Sequence, residues 1–189
     1  MPYLLLVCLA VPSASAGNDQ LLLKAVDGTV HGSLDDGEQA ARVLFFVTTD
    51  CPISNQLAPE MNRICSEYRS QGVSCYLVYV DPHLTAADVK EHGDDFSHTC
   101  CPAILDSKHE LVGTAGAKVT PEAAIYSGRG ELAYLGRINN LYEDFGKRRR
   151  VITKHDLRDA LDRVLAGKAV EPPRTQAVGC FISKVGVSR

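Results

Sequence analysis

Apolar and polar positions in this chain fall into blocks whose period switches between two and about three and a half, and the switches mark its elements. Leu21–Ala25 and Thr29–His31 flank Asp27-Gly28, which predicts a hairpin. Asp35–Gln39 is a polar connection. Val43–Thr48 is a continuous apolar run, as expected of a central strand buried on both faces. Leu57, Met61, Ile64, Cys65 and Tyr68 then recur at helical spacing as one apolar stripe, and Gly72 ends that helix. Val73–Val80 is rich in β-branched and aromatic residues and predicts a second buried strand. A helix follows over Thr85–Phe96, with Thr85 as N-cap and Asp88 completing a capping box. Pro102–Leu105 predicts a short strand and Lys108–Thr114 a short helix.

Ala123–Tyr126 and Glu131–Ile138 flank Ser127-Gly128-Arg129-Gly130 and predict a second hairpin. Asn139–Ile152 is a polar loop carrying the basic run Lys147–Arg150, either a solvated loop or a rim for an acidic partner. The last helix starts near Thr153, with Asp156 three residues on as a capping box. Its stripe is Leu157, Ala160, Leu161, Val164 and Leu165, and Gly167 is its stop. A Pro-containing tail, Glu171–Arg189, holds Cys180. Two strands joined through a helix should run parallel, and the late hairpin adds antiparallel strands. The expected class is α/β, a mixed central sheet with helices on both faces.

Composition narrows the function classes. The chain has 189 residues, enough for one domain with a proper core, and a net charge of −3, which speaks against a nucleic-acid partner. Leu4–Val11 followed by Ala14-Ser15-Ala16 reads as a secretory signal over residues 1–16, although no Lys or Arg precedes the apolar run. The run is too short to span a bilayer, so no stable membrane span is expected after its removal. The expected division is signal 1–16, domain 17–168 and tail 169–189, with a periplasmic or secreted location. Cys8 would leave with the signal, and Cys51, Cys65, Cys75, Cys100, Cys101 and Cys180 remain. In an exported protein these permit disulfides whose connectivity the sequence does not give, and their spacing argues against a structural zinc site.

Cys51 stands out by position. It follows a buried strand and opens a helix, with Pro52 suited to the first helical turn. A thiol there meets the positive end of the helix dipole and unpaired backbone N–H groups, which favour the thiolate. The plain alternative is a small apolar residue at a strand end. Cys65, on the helical stripe, and Cys75, within a strand, read as inert core residues. Cys100-Cys101, just before a proline, are either resolving thiols or structural ones.

The segment FFVTTDCPIS, with Pro59 eight residues beyond Cys51, resembles the active-site strand, turn and helix of the thioredoxin superfamily. Val119–Tyr126 resembles that superfamily's loop before its third core strand, where a cis proline, here Pro121, packs against the reactive sulfur. Gly130 and Gly136 fall where the following hairpin needs them. The insertion ending in Cys101-Pro102-Ala103-Ile104-Leu105-Asp106 is similar to the redoxin branch, which holds peroxiredoxins of the AhpC/TSA type and membrane-associated thiol reductases. CPISN with a terminal GCFI looks like a group of exported bacterial redoxin-domain proteins. The resemblance covers Leu21–Leu165 and implies a thioredoxin-like fold and thiol–disulfide or peroxide chemistry.

Departures from that pattern shape the expectation. The C-x-x-C of the superfamily is Cys51-Pro52-Ile53-Ser54 here; Ser54 donates to a thiolate but closes no disulfide, so a two-cysteine cycle within the turn is excluded. Thr48 matches the threonine of the peroxiredoxin motif, but Leu44 stands in place of its proline, and Val119 and Thr120 in place of its arginine, with Arg137 a weak substitute. Copper chaperones of this fold use C-x-x-x-C and a distant histidine; Asn55 replaces the second cysteine, and His98 and His109 are the histidines on offer. The expected site is therefore Cys51 as nucleophile, Ser54 and Thr48 as its hydroxyl neighbours and Pro121 shaping the groove. Cys180, Cys101 and Cys100 are the resolving candidates. Apolar Val178, Phe181 and Ile182 around Gly179-Cys180 predict a docked tail, which either makes Cys180 the leading one or merely patches an exposed apolar surface. No cofactor or metal is expected, and the substrate is a thiol, disulfide or peroxide, on a protein or a small molecule. The alternative is a non-enzymatic module for partner docking or copper handling.

Overall fold

A computed structural model of the chain describes residues 21–183; the segment read as an export signal, with Cys8, and residues 184–189 lie outside the described residues. In chain order the elements are β1 (Leu22–Lys24), β2 (Val30–Ser33), β3 (Ala41–Val47), α1 (Pro52–Arg69), β4 (Val73–Tyr79), α2 (Ala86–Asp95), β5 (Ala103–Leu105) and α3 (Glu110–Ala115). There follow β6 (Val119–Thr120), β7 (Glu122–Ser127), β8 (Leu132–Gly136), β9 (Tyr142–Asp144), β10 (Lys147–Arg148), α4 (Asp156–Leu165) and β11 (Cys180–Phe181).

The central sheet has the order β5-β4-β3-β7-β8. β3, β4 and β5 are parallel, β7 is antiparallel to β3, and β8 is antiparallel to β7, as the helical crossovers and the late hairpin require. Alternate residues of each strand feed opposite faces. Val43, Phe45, Cys75, Leu77, Ala123 and Ile125 pack with α1, α4 and Val89 of α2. Leu44, Phe46, Tyr76, Val78 and Ala124 pack with α3 and with Leu23 and Leu34 of the first hairpin.

Several boundaries shift, each for a tertiary reason. β3 starts two residues before the apolar run because Arg42 is wholly buried within it: its guanidinium pairs with Asp36 and reaches the Leu34 carbonyl at 3.5 Å. Asp36→Ala would leave that guanidinium buried and unpaired, so a loss of about 3 kcal/mol is expected in a chemical-denaturation midpoint series. The polar loop after β8 contains a small hairpin, β9–β10.

The capping box expected at Thr153 does not form. Asn140 takes the Thr153 and Lys154 N–H groups at 2.9 and 3.0 Å, Arg137 takes Asp156, and α4 begins at Asp156 with His155 as an N-cap that makes no side-chain bond. The box at Thr85 does form, with both reciprocal bonds present.

The tail returns to the body. The Leu135 N–H donates to the Pro173 carbonyl at 3.0 Å and the Thr175 N–H to the Leu135 carbonyl at 3.1 Å. β11 then pairs antiparallel with β6, placing Cys180 opposite Thr120. Val178 and Ile182 pack against the two cores, whereas Phe181, expected to dock, points outward and is 87% exposed. No described helix is long and apolar enough to cross a membrane.

Candidate active site

β3 delivers the chain to the sheet end, and the turn Thr48–Asp50 hands it to α1. Cys51 is the N-cap of α1, in extended conformation, and Pro52 occupies its first turn. The Cys51 sulfur accepts from the Ser54 N–H at 3.5 Å, one of the helix's unpaired donors, and its thiol donates to the Thr120 carbonyl at 2.9 Å. Thr120 precedes Pro121 across a cis peptide bond. The buried Glu122 carboxylate accepts from the Lys118 N–H at 2.7 Å and the Val119 N–H at 3.5 Å, bracing the loop over the sulfur.

The Ser54 and Thr120 hydroxyls adjoin the sulfur, are buried and have no committed hydrogen-bond partner, as is also true of the Thr48 hydroxyl in the preceding turn. Burial pushes the Cys51 thiol up. The Ser54 hydroxyl and N–H, the Cys180 thiol and the Thr120 side chain together pull it below the ordinary cysteine value. The thiol proton is directed at the Thr120 carbonyl.

Cys180, on β11, stands opposite Thr120, whose carbonyl receives the Cys51 thiol, and the two thiols shift one another's acidity. Burial first, then the neighbouring Cys51 and the negative charge of Asp50, push the Cys180 thiol up to about 11. The other two resolving candidates are elsewhere. Cys101 is bonded to Cys65 with Cα atoms 6.5 Å apart, and Cys100 lies beside them. Cys65 is fourteen residues beyond Cys51 on α1, about 21 Å along its axis at 1.5 Å per residue. Two expectations are thereby corrected: Cys65 is not an inert core thiol, and Cys100 and Cys101 do not stand at Cys51. Cys75 remains a free thiol, buried in β4, and burial pushes it up to about 12.

The copper-site residues are otherwise engaged. Asn55 donates to the Thr49 carbonyl at 3.0 Å and accepts from His92 Nε2 at 3.0 Å, which leaves His92 Nδ1 to accept from the Tyr79 hydroxyl at 2.9 Å. His98 bonds Asn62 at 2.7 Å and His109 the Val80 carbonyl at 2.6 Å. Arg137 makes a two-pronged bond to Asp156 at 2.8 and 2.9 Å. Residue-by-residue reading missed His92 and Glu122. The signal for Glu122 was present: a lone carboxylate at the head of an apolar strand.

His92 and His98 have pH consequences. Burial lowers both, His98 to about 4. Between that value and the ordinary histidine value near 6.5, the unfolded chain binds protons that the folded chain refuses, so stability falls as pH drops through this window. Thermal melting at pH 4.5 is expected to lie below that at pH 7 by about 5 °C. His98→Gln should flatten the difference.

No family model matches the sequence, and no curated protein is similar enough to count as a relative. Solved structures do match. A hypothetical protein from Sinorhizobium meliloti superposes with a TM-score of 0.76 at 21% identity, over 89% of this chain and 92% of that one. The exposed lipoprotein thioredoxin of Streptococcus pneumoniae gives 0.53 at 23% identity, over 61% and 87%. A secreted disulfide oxidoreductase of Mycobacterium tuberculosis gives 0.53 at 13% identity, over 78% and 96%. At such identities the likeness is one of architecture, and the architecture is the thioredoxin-like fold.

Proposed function

We propose that the protein is an exported thiol–disulfide oxidoreductase of redoxin type that works with one helix-capping nucleophile, Cys51, and a resolving thiol, Cys180, brought back by the tail. The observation that carries this is the β6–β11 pairing, which sets Cys180 opposite Thr120, the residue whose carbonyl receives the Cys51 thiol. The Cys51 thiolate attacks a substrate disulfide R–S–S–R′ and expels R′S⁻. In the resulting mixed disulfide Cys51 no longer carries charge, so part of what holds Cys180 protonated disappears. Cys180 then loses its proton, attacks the Cys51 sulfur and expels RS⁻, leaving a Cys51–Cys180 disulfide for an external dithiol to reduce. Ser54 and the α1 N-terminus stabilise the thiolate as attacker and again as leaving group. Exchange of this kind is supported by the fold of the matched oxidoreductase structures, and export by the signal-like N-terminus and the secreted or exposed character of two of them.

Peroxide chemistry has less behind it, because Arg137 is committed to Asp156. Copper handling has less still, because Asn55, His98 and His109 hold structural bonds. The test is peptide mass spectrometry after stepwise oxidation with an oxidised dithiol. A linked Cys51–Cys180 peptide pair should accumulate at one per chain, and in Cys180→Ser the mixed disulfide on Cys51 should persist. Absence of the pair, with Cys51 still a free thiol, would refute the proposal.

A further inference from the structure

A second group of sulfurs lies at the other end of α1. Cys65 is 3% exposed and Cys101 5%, and they are joined; Cys100 is half-buried and carries a free thiol 4.0 Å from the Cys101 sulfur. All three sulfurs lie within 4.8 Å of one another. Cys100 is dressed by α1: its thiol donates to the Asn62 carbonyl at 3.5 Å, the Ser66 hydroxyl donates to its sulfur at 3.9 Å, and Arg69 holds its carbonyl at 2.8 Å. A cavity of about 290 Å³, lined by Cys65, Cys75, Cys100, His31, Arg69 and Tyr76, opens beside them. A simple cross-link needs two cysteines. Here a third thiol, the most accessible of the set, is placed against the bond with a donor for its thiolate.

We infer that Cys65, Cys100 and Cys101 form a second thiol–disulfide exchange centre, with Cys100 as its entry thiol. It is independent of Cys51 and serves low-molecular-weight thiols that carry carboxylates. The cavity sets the size of the partner and the Arg69 guanidinium its charge. With two of the three sulfurs buried, a protein cysteine has no direct path to the bond, whereas a small thiol reaches Cys100.

The exchange balances without another oxidant or reductant. The Cys100 thiolate attacks the Cys101 sulfur; the Cys65–Cys101 bond breaks, and Cys65 leaves with the electron pair and takes up the proton that Cys100 gave. The bond now lies between Cys100 and Cys101, at the cavity mouth. One small thiolate attacks the Cys100 sulfur and releases Cys101. A second attacks the small-molecule sulfur of the resulting adduct and releases Cys100. The sum converts one protein disulfide and two small thiols into two protein thiols and one small disulfide, and it runs backwards when the small disulfide is in excess.

The test uses the full chain with the first centre silenced, Cys51→Ser/Cys180→Ser, held folded with reduced glutathione, quenched in acid and mapped by mass spectrometry. Cys65 and Cys101 are expected to become reduced together, with a glutathione adduct on Cys100. Adding Cys100→Ser should slow reduction by about 100-fold and abolish the adduct. Cys100→Ala should do the same, and an unchanged melting temperature in either variant excludes unfolding as the cause. A Cys65–Cys101 bond reduced at the same rate with and without Cys100, or reduced only when the chain unfolds, would make it a static cross-link and overturn the inference.

Discussion

Cys51→Ser is expected to cut turnover of a peptide disulfide, coupled to an external dithiol, by at least about 1,000-fold, because the hydroxyl ionises far too weakly to act as the nucleophile. The substitution is nearly isosteric, and a serine hydroxyl donates to the Thr120 carbonyl as the thiol does, so the fold should be kept. In the unaltered protein, the rate of Cys51 alkylation should rise with pH and level off below the pH at which free cysteine does, since its thiolate is favoured. Cys75→Ser provides the contrast: its thiol is buried and held up at about 12, so turnover should be unaffected while stability falls. Turnover in Cys51→Ser equal to that of the parent would remove Cys51 from the chemistry.

Gly179→Val is the second large effect. A Cβ at Gly179 would stand 2.1 Å from the Thr120 carbonyl oxygen and 2.6 Å from its carbon. Those are backbone atoms in a loop braced by Glu122, so the tail must yield. Val178 loses its seat beside Leu57 and Pro121, and Cys180 is carried off Cys51. Closure of the Cys51–Cys180 disulfide should slow by about 10- to 100-fold, the loss of a positioned partner. Alkylation of Cys51, fully buried under the docked tail, should at the same time become faster. Rapid quench with mass detection reads both. If closure keeps its rate, the tail does not deliver Cys180.

Much of this architecture is legible in the sequence wherever local chemistry decides the outcome. Thr85 and Asp88 cap one another whatever surrounds them, Gly72 takes up a positive φ two residues beyond the Ser70 cap of α1, and the apolar runs of β3 and β4 have no other place than the sheet centre. The thiol at the mouth of α1 follows from the strand, the proline and the stripe behind it. Illegible features depend on partners far away in sequence. Cys65 looks apolar because it shares a stripe with Ile64 and Met61; its bond to Cys101, thirty-six residues on, leaves no local trace. Thr153 and Asp156 spell a capping box, yet Asn140 and Arg137 claim both, and tertiary hydrogen bonds prevail over a local one. Arg42 hides the start of β3 because a buried guanidinium reads as a surface residue until Asp36 is seen beside it.

The returning tail has a consequence for solubility. β8 is one of the two edge strands of the sheet, and an edge strand offers unpaired amides and carbonyls on which another chain can add. At Leu135 the tail occupies both groups of that edge, through the Pro173 carbonyl and the Thr175 N–H. Thr175 also crowds Gly136 so closely that even a methyl group there would collide, at 2.2 Å from its hydroxyl oxygen. The segment that carries Cys180 back to β6 thus also shields the β8 edge of the sheet, and a chain cleaved after α4 would expose that edge to self-association.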